Sequence, residues 1–175
     1  MRRTTITRLA LMALAVSTAG AARPARAETL YTLTILGNLP GGTSSGGSAV
    51  NNSGQVAGAA DTAGGVSHAF LSGPGGGPLQ DLGTLPGGDF SLGRAINDSG
   101  QVVGTAGIAG GAGHAFLYSG GQMLDLNSLI APGSGFTLTG VSGISDTGYI
   151  TGSGTAPDGH THAFLLTPLA LVPEP

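Results

Sequence analysis

The stretch AINDSGQVVG at residues 95–104 decides the fold, because versions of it occur three times along the chain. AVNNSGQVAG at 49–58 precedes it by 46 residues, and GISDTGYITG at 143–152 follows it by 48. Self-similarity at a nearly fixed period is the signature of a repeat architecture. The sequence therefore predicts three copies of one structural unit.

Two further elements repeat with similar spacing. The letters HAFL begin at His68, His114 and His162. The loop-like stretch LGNLPGG stands at 36–42, returns as LGTLPGG at 82–88 and is altered to LNSLIAPG at 126–133. Three elements that repeat together are not explained by a Gly-rich composition.

Each unit has the pattern of four short strands. In the second unit the apolar or mixed runs fall at 95–96, 101–103, 114–118 and 123–126, and Gly, Asn, Asp or Ser bound them. Asn97 to Gly100 is typical of a tight turn, in which Asn or Asp bonds the local backbone and Gly supplies a positive φ. Gly54 and Gly148 hold the same place in the other units. No window after residue 27 shows helical spacing of apolar residues.

These patterns predict an all-β protein of about three four-stranded antiparallel, propeller-like blades, with an open stack of β-sheets as the alternative. The run LYTLTIL at 30–36 resembles a fourth strand with no blade before it. The run 162–166 resembles a third strand with no clear fourth strand after it. We expect 30–36 to complete the last blade, either within one chain or between two chains.

The chain begins with the features of a secretory signal peptide at 1–27. Arg2, Arg3 and Arg8 precede an apolar stretch at 9–22, and ARA at 25–27 predicts cleavage between Ala27 and Glu28. We assign 28–166 to a three-repeat β domain, with units near 30–80, 81–124 and 125–166, and 167–175 to a Pro-containing tail. The expected location is secreted, extracellular or at the cell surface, with the periplasm possible in transit.

Composition excludes several classes of protein. The 175 residues include 34 Gly and 10 Pro but neither Cys nor Trp, which excludes a disulfide scaffold and a Cys-ligated zinc module. After residue 27 only Arg94 stands against nine acidic residues, a net charge of −8. A surface with one cation is a poor partner for nucleic acid or anionic membranes. We also predict no membrane span in the mature chain as given.

The repeated residues resemble the HAF-repeat family of bacterial extracellular proteins, named for the triplet at His68, His114 and His162. DLGTLPGG at 81–88 and INDSGQVVG at 96–104 are similar to the other two signatures of that family. The resemblance spans about 30–166 and implies an exported, propeller-like repeat protein whose biochemical role is not established at family level. LVPEP at 171–175 resembles the opening of a PEP-CTERM sorting signal.

The three repeated histidines are predicted to be structural, because a catalytic residue normally occurs once. We expect each imidazole N–H to bond a carbonyl of a neighbouring blade or loop. The predicted structural positions of the repeat are His68, Phe70, His114, Phe116, His162, Phe164, Gly54, Gly100 and Gly148. No catalytic residue is assigned.

One local cluster has metal-ligating residue types: Asp158, His160 and His162. Residues 160 and 162 would face the same side of a strand. The polar-loop interpretation is preferred, so we predict no metal and no cofactor. Asn52, Asp98 and Asp146 are predicted to form turns, because their spacing fits no known calcium loop.

Two isolated features have ordinary explanations. GTSSG at 42–46 matches the letters of a nucleophile elbow around Ser44, but a Pro-Gly-Gly loop precedes it and no helical pattern follows. Arg94 has no charged equivalent in the other units, and we prefer a salt bridge with Asp89 over the binding of an anionic ligand.

We therefore interpret the chain as an exported, non-enzymatic structural or interaction module of the cell surface or extracellular matrix. Its candidate partners are exopolysaccharide or other surface proteins, and self-association would close a propeller. The alternative is a carbohydrate-binding module that stacks sugars on Tyr118, Phe90 or Tyr149. A hydrolase fragment is the third interpretation.

Overall fold

The computed structural model describes residues 30–169. The predicted leader, its cleavage site between Ala27 and Glu28, and the end of the tail at 170–175 lie outside these residues. The described part is all-β, with three antiparallel sheets and no α-helix. The prediction of an all-β chain of antiparallel sheets is confirmed.

The strands follow the chain in sequence order within each sheet. The first sheet comprises β1 Ser45–Val50, β2 Val56–Asp61, β3 Ser67–Ser72 and β4 Leu79–Asp81. The second sheet comprises β5 Ser91–Ile96, β6 Val102–Gly107, β7 Gly113–Ser119 and β8 Gln122–Asp125. A short 3-10 helix, Leu126–Ser128, leads to the third sheet, which comprises β9 Thr137–Ile144, β10 Ile150–Thr155 and β11 Thr161–Leu166.

The repeated stretches NNSG at 51–54, NDSG at 97–100 and SDTG at 145–148 form the turns between the first two strands of each sheet. Gly54, Gly100 and Gly148 have φ values of 70°, 75° and 85°. Their amides donate to the carbonyls of Asn51, Asn97 and Ser145, at 3.0 Å in each case. Because a side chain at such φ is strained, these positions favour Gly.

Two apolar layers hold the three sheets together. Ala57, Ala69 and Leu71 of the first sheet pack with Val102 and Phe116 of the second. Leu82 and Leu85 of the loop between these sheets join that layer. The LGTLPGG loop thus fills the space between two sheets rather than extending away from them.

The second layer lies between the second and third sheets. It includes Val103 and Ala115 from the second sheet, Leu126 from the 3-10 helix, and Leu138, Val141 and Ile150 from the third sheet. Alternation along β6 therefore sends Val102 to one layer and Val103 to the other. The central sheet is covered on both faces.

The sheets are stacked in sequence order and do not close into a ring within the described residues. The expected strand at 30–36 is wrong for the single chain, because these residues form no regular secondary structure and pair with no strand. The first sheet already has its four strands, and the three-stranded sheet lies at the other end of the stack from this segment. No helix among the described residues is long and apolar enough to cross a membrane.

Candidate functional site

The polar residues of the repeated turns bond first within their own turn. The Asn97 side chain accepts from the Gln101 amide at 3.0 Å and donates from Nδ2 to Gln101 Oε1 at 2.7 Å. Asn51 makes the same two bonds to Gln55, both at 2.9 Å. In the third unit Ser145 Oγ accepts from the Tyr149 amide at 3.0 Å. Each turn is thus stabilised by its first side chain.

The same turns also bond to one another and form a turn ladder, defined by Asn51–Asn52, Asn97–Asp98 and Ser145–Asp146. Asn51 Nδ2 donates to the Asn97 carbonyl at 3.1 Å, and Asn97 Nδ2 donates to the Ser145 carbonyl at 3.2 Å. The ladder joins positions 46 and 48 residues apart. It therefore fixes the stacking of neighbouring sheets.

A second row of bonds runs beside the first. The amide of Asn52 donates to Asp98 Oδ1 at 2.9 Å, and the amide of Asp98 donates to Asp146 Oδ1 at 2.8 Å. Hydrogen bonds from the backbone and then the side chain of Asn52 hold the pKa of Asp98 below its ordinary value. These carboxylates act as acceptors within the ladder.

Two of the repeated histidines pair with a carboxylate on the next strand. His68 Nδ1 lies 3.0 Å from Asp81 Oδ2, and His114 Nδ1 lies 2.7 Å from Asp125 Oδ2. In both sheets the third strand is thereby linked to the fourth. The partner is a carboxylate of the same sheet, not the carbonyl of a neighbouring unit that the sequence led us to expect.

Asp125 is the better enclosed of the two carboxylates. Burial raises its pKa, but the hydrogen bond with His114 and those from the amide and side chain of Asn127 outweigh burial. The pKa of Asp125 therefore lies below its ordinary value. This environment favours an ionised acceptor at pH 7 rather than a proton-transfer group.

The third unit lacks this arrangement. His162 Nε2 lies 3.6 Å from Asp158 Oδ2, and both side chains are 54% exposed. Asp158 Oδ1 accepts from the backbone amide of His160 at 2.9 Å, as in an ordinary polar turn. No group of three or more His, Cys, Asp or Glu side chains within residues 30–169 is arranged to hold a metal ion.

The repeated phenylalanines cover glycines on the neighbouring strand. Phe116 is fully buried over Gly104, and Phe70 lies over Gly58 in the same register. Phe164 lies over Gly152 but is only half-buried. The third unit thus repeats the contact between Phe and Gly, but its Phe is not buried by neighbouring residues as in the first two units.

The expected Arg94–Asp89 salt bridge is not formed; no Arg takes part in an ion pair anywhere in the described chain. The register of β5 against β6 shifts between Gly93 and Ala95, so Arg94 is the extra residue of a β-bulge. Its side chain is exposed. Asp89 instead precedes the strand and lies near Gly107.

The residues proposed for sugar stacking are mostly covered. Tyr118 is buried, and its hydroxyl accepts from Gln80 Nε2 at 2.8 Å. Phe90 is half-buried over Gly107, whereas Tyr149 is 44% exposed. Ser44 lies immediately before β1, and its carbonyl accepts from the Asp61 amide at 2.9 Å. No helix follows Ser44 there, so an elbow is not formed.

The His–Asp pairs were missed from the sequence although a signal existed. Asp81 follows His68 by 13 residues and Asp125 follows His114 by 11, whereas no acidic residue follows His162 before Glu174. Residues that repeat together, and are lost together, are candidates for contact. Asn127, which bonds both Asp125 and the backbone of Leu138, has no such repeated signal.

No protein-family model matches the chain, and neither the curated proteins nor the solved structures give a match.

Proposed function

We propose that this chain is an exported, non-enzymatic repeat protein that acts as a structural or interaction module at the cell surface or in the extracellular matrix. Its sheets serve as propeller-like blades of the HAF-repeat type. The observation that carries the proposal is the use of the repeated polar side chains within the fold. Asn97 and His114 are bonded to neighbouring strands and turns rather than directed together at a reacting centre.

The surface of the described residues supports a binding role better than a catalytic one. A groove of about 620 Å³ lies beside His114 and is lined by residues 127–128 and 130–137. Asn127 and Ser128, its first polar side chains, already bond to Asp125. The rest of the lining consists of apolar and small residues with no acid–base or nucleophilic side chain other than hydroxyls.

Export is tested by fractionating the producing cells and sequencing the N-terminus of the protein in each fraction. We expect a chain that begins at Glu28 outside the cytoplasm. Ala27→Asp removes the small residue that signal cleavage requires, so this variant is retained in unprocessed form, whereas Arg26→Ala is the matched control and is processed normally. A wild-type chain that stays cytoplasmic with its leader intact would contradict the proposal.

The interaction role is tested by sedimenting the secreted chain with exopolysaccharide from the same cells. We expect the wild-type chain to co-sediment with the polysaccharide. His114→Ala should co-sediment as well, provided that circular dichroism shows the variant to be folded. Hydrolysis of a polysaccharide or ester that is lost in Ser44→Ala would overturn the non-enzymatic assignment.

A further inference from the structure

Within the described residues, the third sheet has three strands where the other two sheets have four. β4 completes the first sheet beside β3, and β8 completes the second beside β7. Among residues 30–169, β11 pairs with β10 on one side and with no strand on the other. The same HAFL sequence is therefore an inner strand twice and an edge strand once.

The side chains of β11 are more exposed than the equivalent side chains of β3 and β7. The alanines at 69 and 115 are fully buried, but the equivalent Ala163 is exposed. Leu71 is 9% exposed, whereas the equivalent Leu165 is 64% exposed. An uncovered apolar edge strand is a ready template for pairing with another chain.

The missing strand has a counterpart at the other end of the chain. Leu33, Thr34 and Ile35 stand 46 residues before Leu79, Gln80 and Asp81, which form β4. Leu33 and Ile35 are 87% and 86% exposed and belong to no strand. The chain thus has a fourth strand without a sheet and a sheet without a fourth strand.

This segment is already held beside the first sheet. A Cβ built on Gly76 would lie 2.8 Å from Leu36 Cδ2 and 3.2 Å from Thr34 Cγ2, so both side chains contact that loop closely. Leu39, which follows in the LGNLPGG loop, is buried against Ala60 and Phe70. The segment is therefore anchored at its C-terminal side while its outer edge stays free.

The junction between the first two sheets shows what the segment would meet. There Ser91 Oγ donates to the Gly83 carbonyl and accepts from the Ala69 amide at 2.8 Å. Ser45, 46 residues earlier, donates to the Gly37 carbonyl at 2.6 Å in the same way. Ser45 Oγ would then accept from the backbone amide of Ala163, the equivalent of Ala69, in the third sheet of another copy of the chain.

We propose that Leu33–Ile35 of one copy of this chain pairs with β11 of a second copy. The register of β3 with β4 places Ile35 opposite Phe164, Thr34 opposite Leu165 and Leu33 opposite Leu166. In the first sheet the backbone amide of Leu82 donates to the Ala69 carbonyl at 2.9 Å. Leu36 is the equivalent of Leu82, so its backbone amide would face the second copy's β11. The backbone amide of Thr34, two residues earlier, would face the same strand.

The contact joins two different surfaces and is therefore heterologous, which gives a closed ring or an open filament. Two copies would contribute six sheets, within the range of about 4–8 blades seen in propellers. The amide of Asp146 would extend the turn ladder to the side chain of Asn52 in the second copy. The inference concerns assembly alone and is independent of export, so fractionation and the experiment below can fail separately.

Light scattering after size exclusion tests the interface. We expect the wild-type chain to have the mass of two or more copies. Leu165→Lys places a charge on the edge strand, and Thr34→Pro removes the amide that would donate to β11, so both variants become monomeric. Both positions are exposed in the single chain, and circular dichroism checks that its β-structure is retained. Gln122→Lys, at an exposed residue of the central sheet and therefore away from both ends of the stack, stays assembled.

Crosslinking tests the register, because the chain contains no natural Cys. A Thr34→Cys chain mixed with an isotope-labelled Leu165→Cys chain should form the mixed disulfide. Leu33→Cys mixed with Leu165→Cys should not, since neighbouring strand residues point to opposite faces. A wild-type monomer, assembly that survives both Leu165→Lys and Thr34→Pro, or a disulfide formed within the chain of the Thr34→Cys/Leu165→Cys double variant would each overturn the proposal.

Discussion

At the scale of single residues, close packing of an aromatic ring on a glycine recurs in each of the three sheets. Gly104 lies between the Leu92 carbonyl and the ring of Phe116, and an added Cβ would lie 2.5 Å from Phe116 Cε1 and overlap that carbonyl oxygen. We expect Gly104→Ala to lower the free energy of unfolding by about 2 kcal/mol or more, because neither neighbour is able to withdraw. Urea unfolding followed by circular dichroism measures the change.

Gly143→Ala is the matched control for this substitution. Gly143 also lies within a strand, but an added Cβ meets only Thr151 Cγ2 at 3.5 Å, and the equivalent positions 49 and 95 are already Ala. We expect this variant to be unchanged or more stable by about 0.4–1 kcal/mol, since Ala restricts the unfolded chain. Equal destabilisation by both substitutions would contradict the packing argument.

The environment of Asp125 makes a prediction about pH. Its pKa is lower in the folded protein than its unfolded value of about 3.9, so its contribution to stability is present above that pH and is lost as the pH falls through the folded pKa. We expect wild type to exceed Asp125→Asn in stability at pH 6 and this advantage to shrink as the pH falls below the unfolded pKa and through the folded pKa. Chemical unfolding at a series of pH values tests this; parallel curves would show that the pair with His114 contributes no pH-dependent stability.

Residue roles were only partly predictable from the sequence. The positive φ of Gly100 follows from local turn chemistry, which needs no knowledge of the rest of the molecule. The exposure of Arg94 does not follow from local sequence, because it results from a β-bulge between Gly93 and Ala95. A bulge depends on the pairing of two strands, and the sequence of one strand does not reveal it.

At the scale of elements, the turn between the first two strands is bonded both within its own unit and to the next unit. Asn97 is 2% exposed and bonds Gln101 twice and the Ser145 carbonyl once. Asn97→Ala leaves buried donors and acceptors without partners, so we expect it to cost about 1–3 kcal/mol of the free energy of unfolding. Thermal and urea unfolding of the variant measure this cost.

Asn52→Ala is the corresponding exposed variant of the ladder. Asn52 is exposed and bonds Asp98 at the surface, so the loss of its side chain should change stability by no more than about 0.5 kcal/mol. If Asn52→Ala is as harmful as Asn97→Ala, surface bonds rather than the buried amide hold the turns.

The strands that were predicted well and the one that was not differ in their surroundings rather than in their propensity. β7 carries an apolar run bounded by Gly and finds partners on both sides. The run at 30–36 alternates in a similar way, yet it leads into the first sheet, whereas the sheet with a free edge at β11 lies at the other end of the stack. Sequence periodicity reports that a segment suits a strand, whereas the partner is set by the order in which sheets are stacked.

For the whole molecule, stability should differ from sheet to sheet. The second sheet is covered on both faces, while β11 at the end of the stack is mostly exposed. Under conditions in which the chain is monomeric, we expect amides of β7 to exchange with solvent far more slowly than those at the free edge of β11. Hydrogen exchange followed by mass spectrometry of peptides from the two strands makes the comparison; uniform protection would mean that the stack opens only as a whole.

The turn ladder gives the molecule a direction. Each turn has its amides on one side and its acceptors on the other, so a unit is joined to its predecessor by one set of groups and to its successor by another. One whole period of 46 residues, the separation of Asn52 from Asp98, can therefore be duplicated or removed without altering either end. Genes for such a chain can lengthen or shorten by recombination between their own repeats, and every product still offers the same two ends to its neighbours.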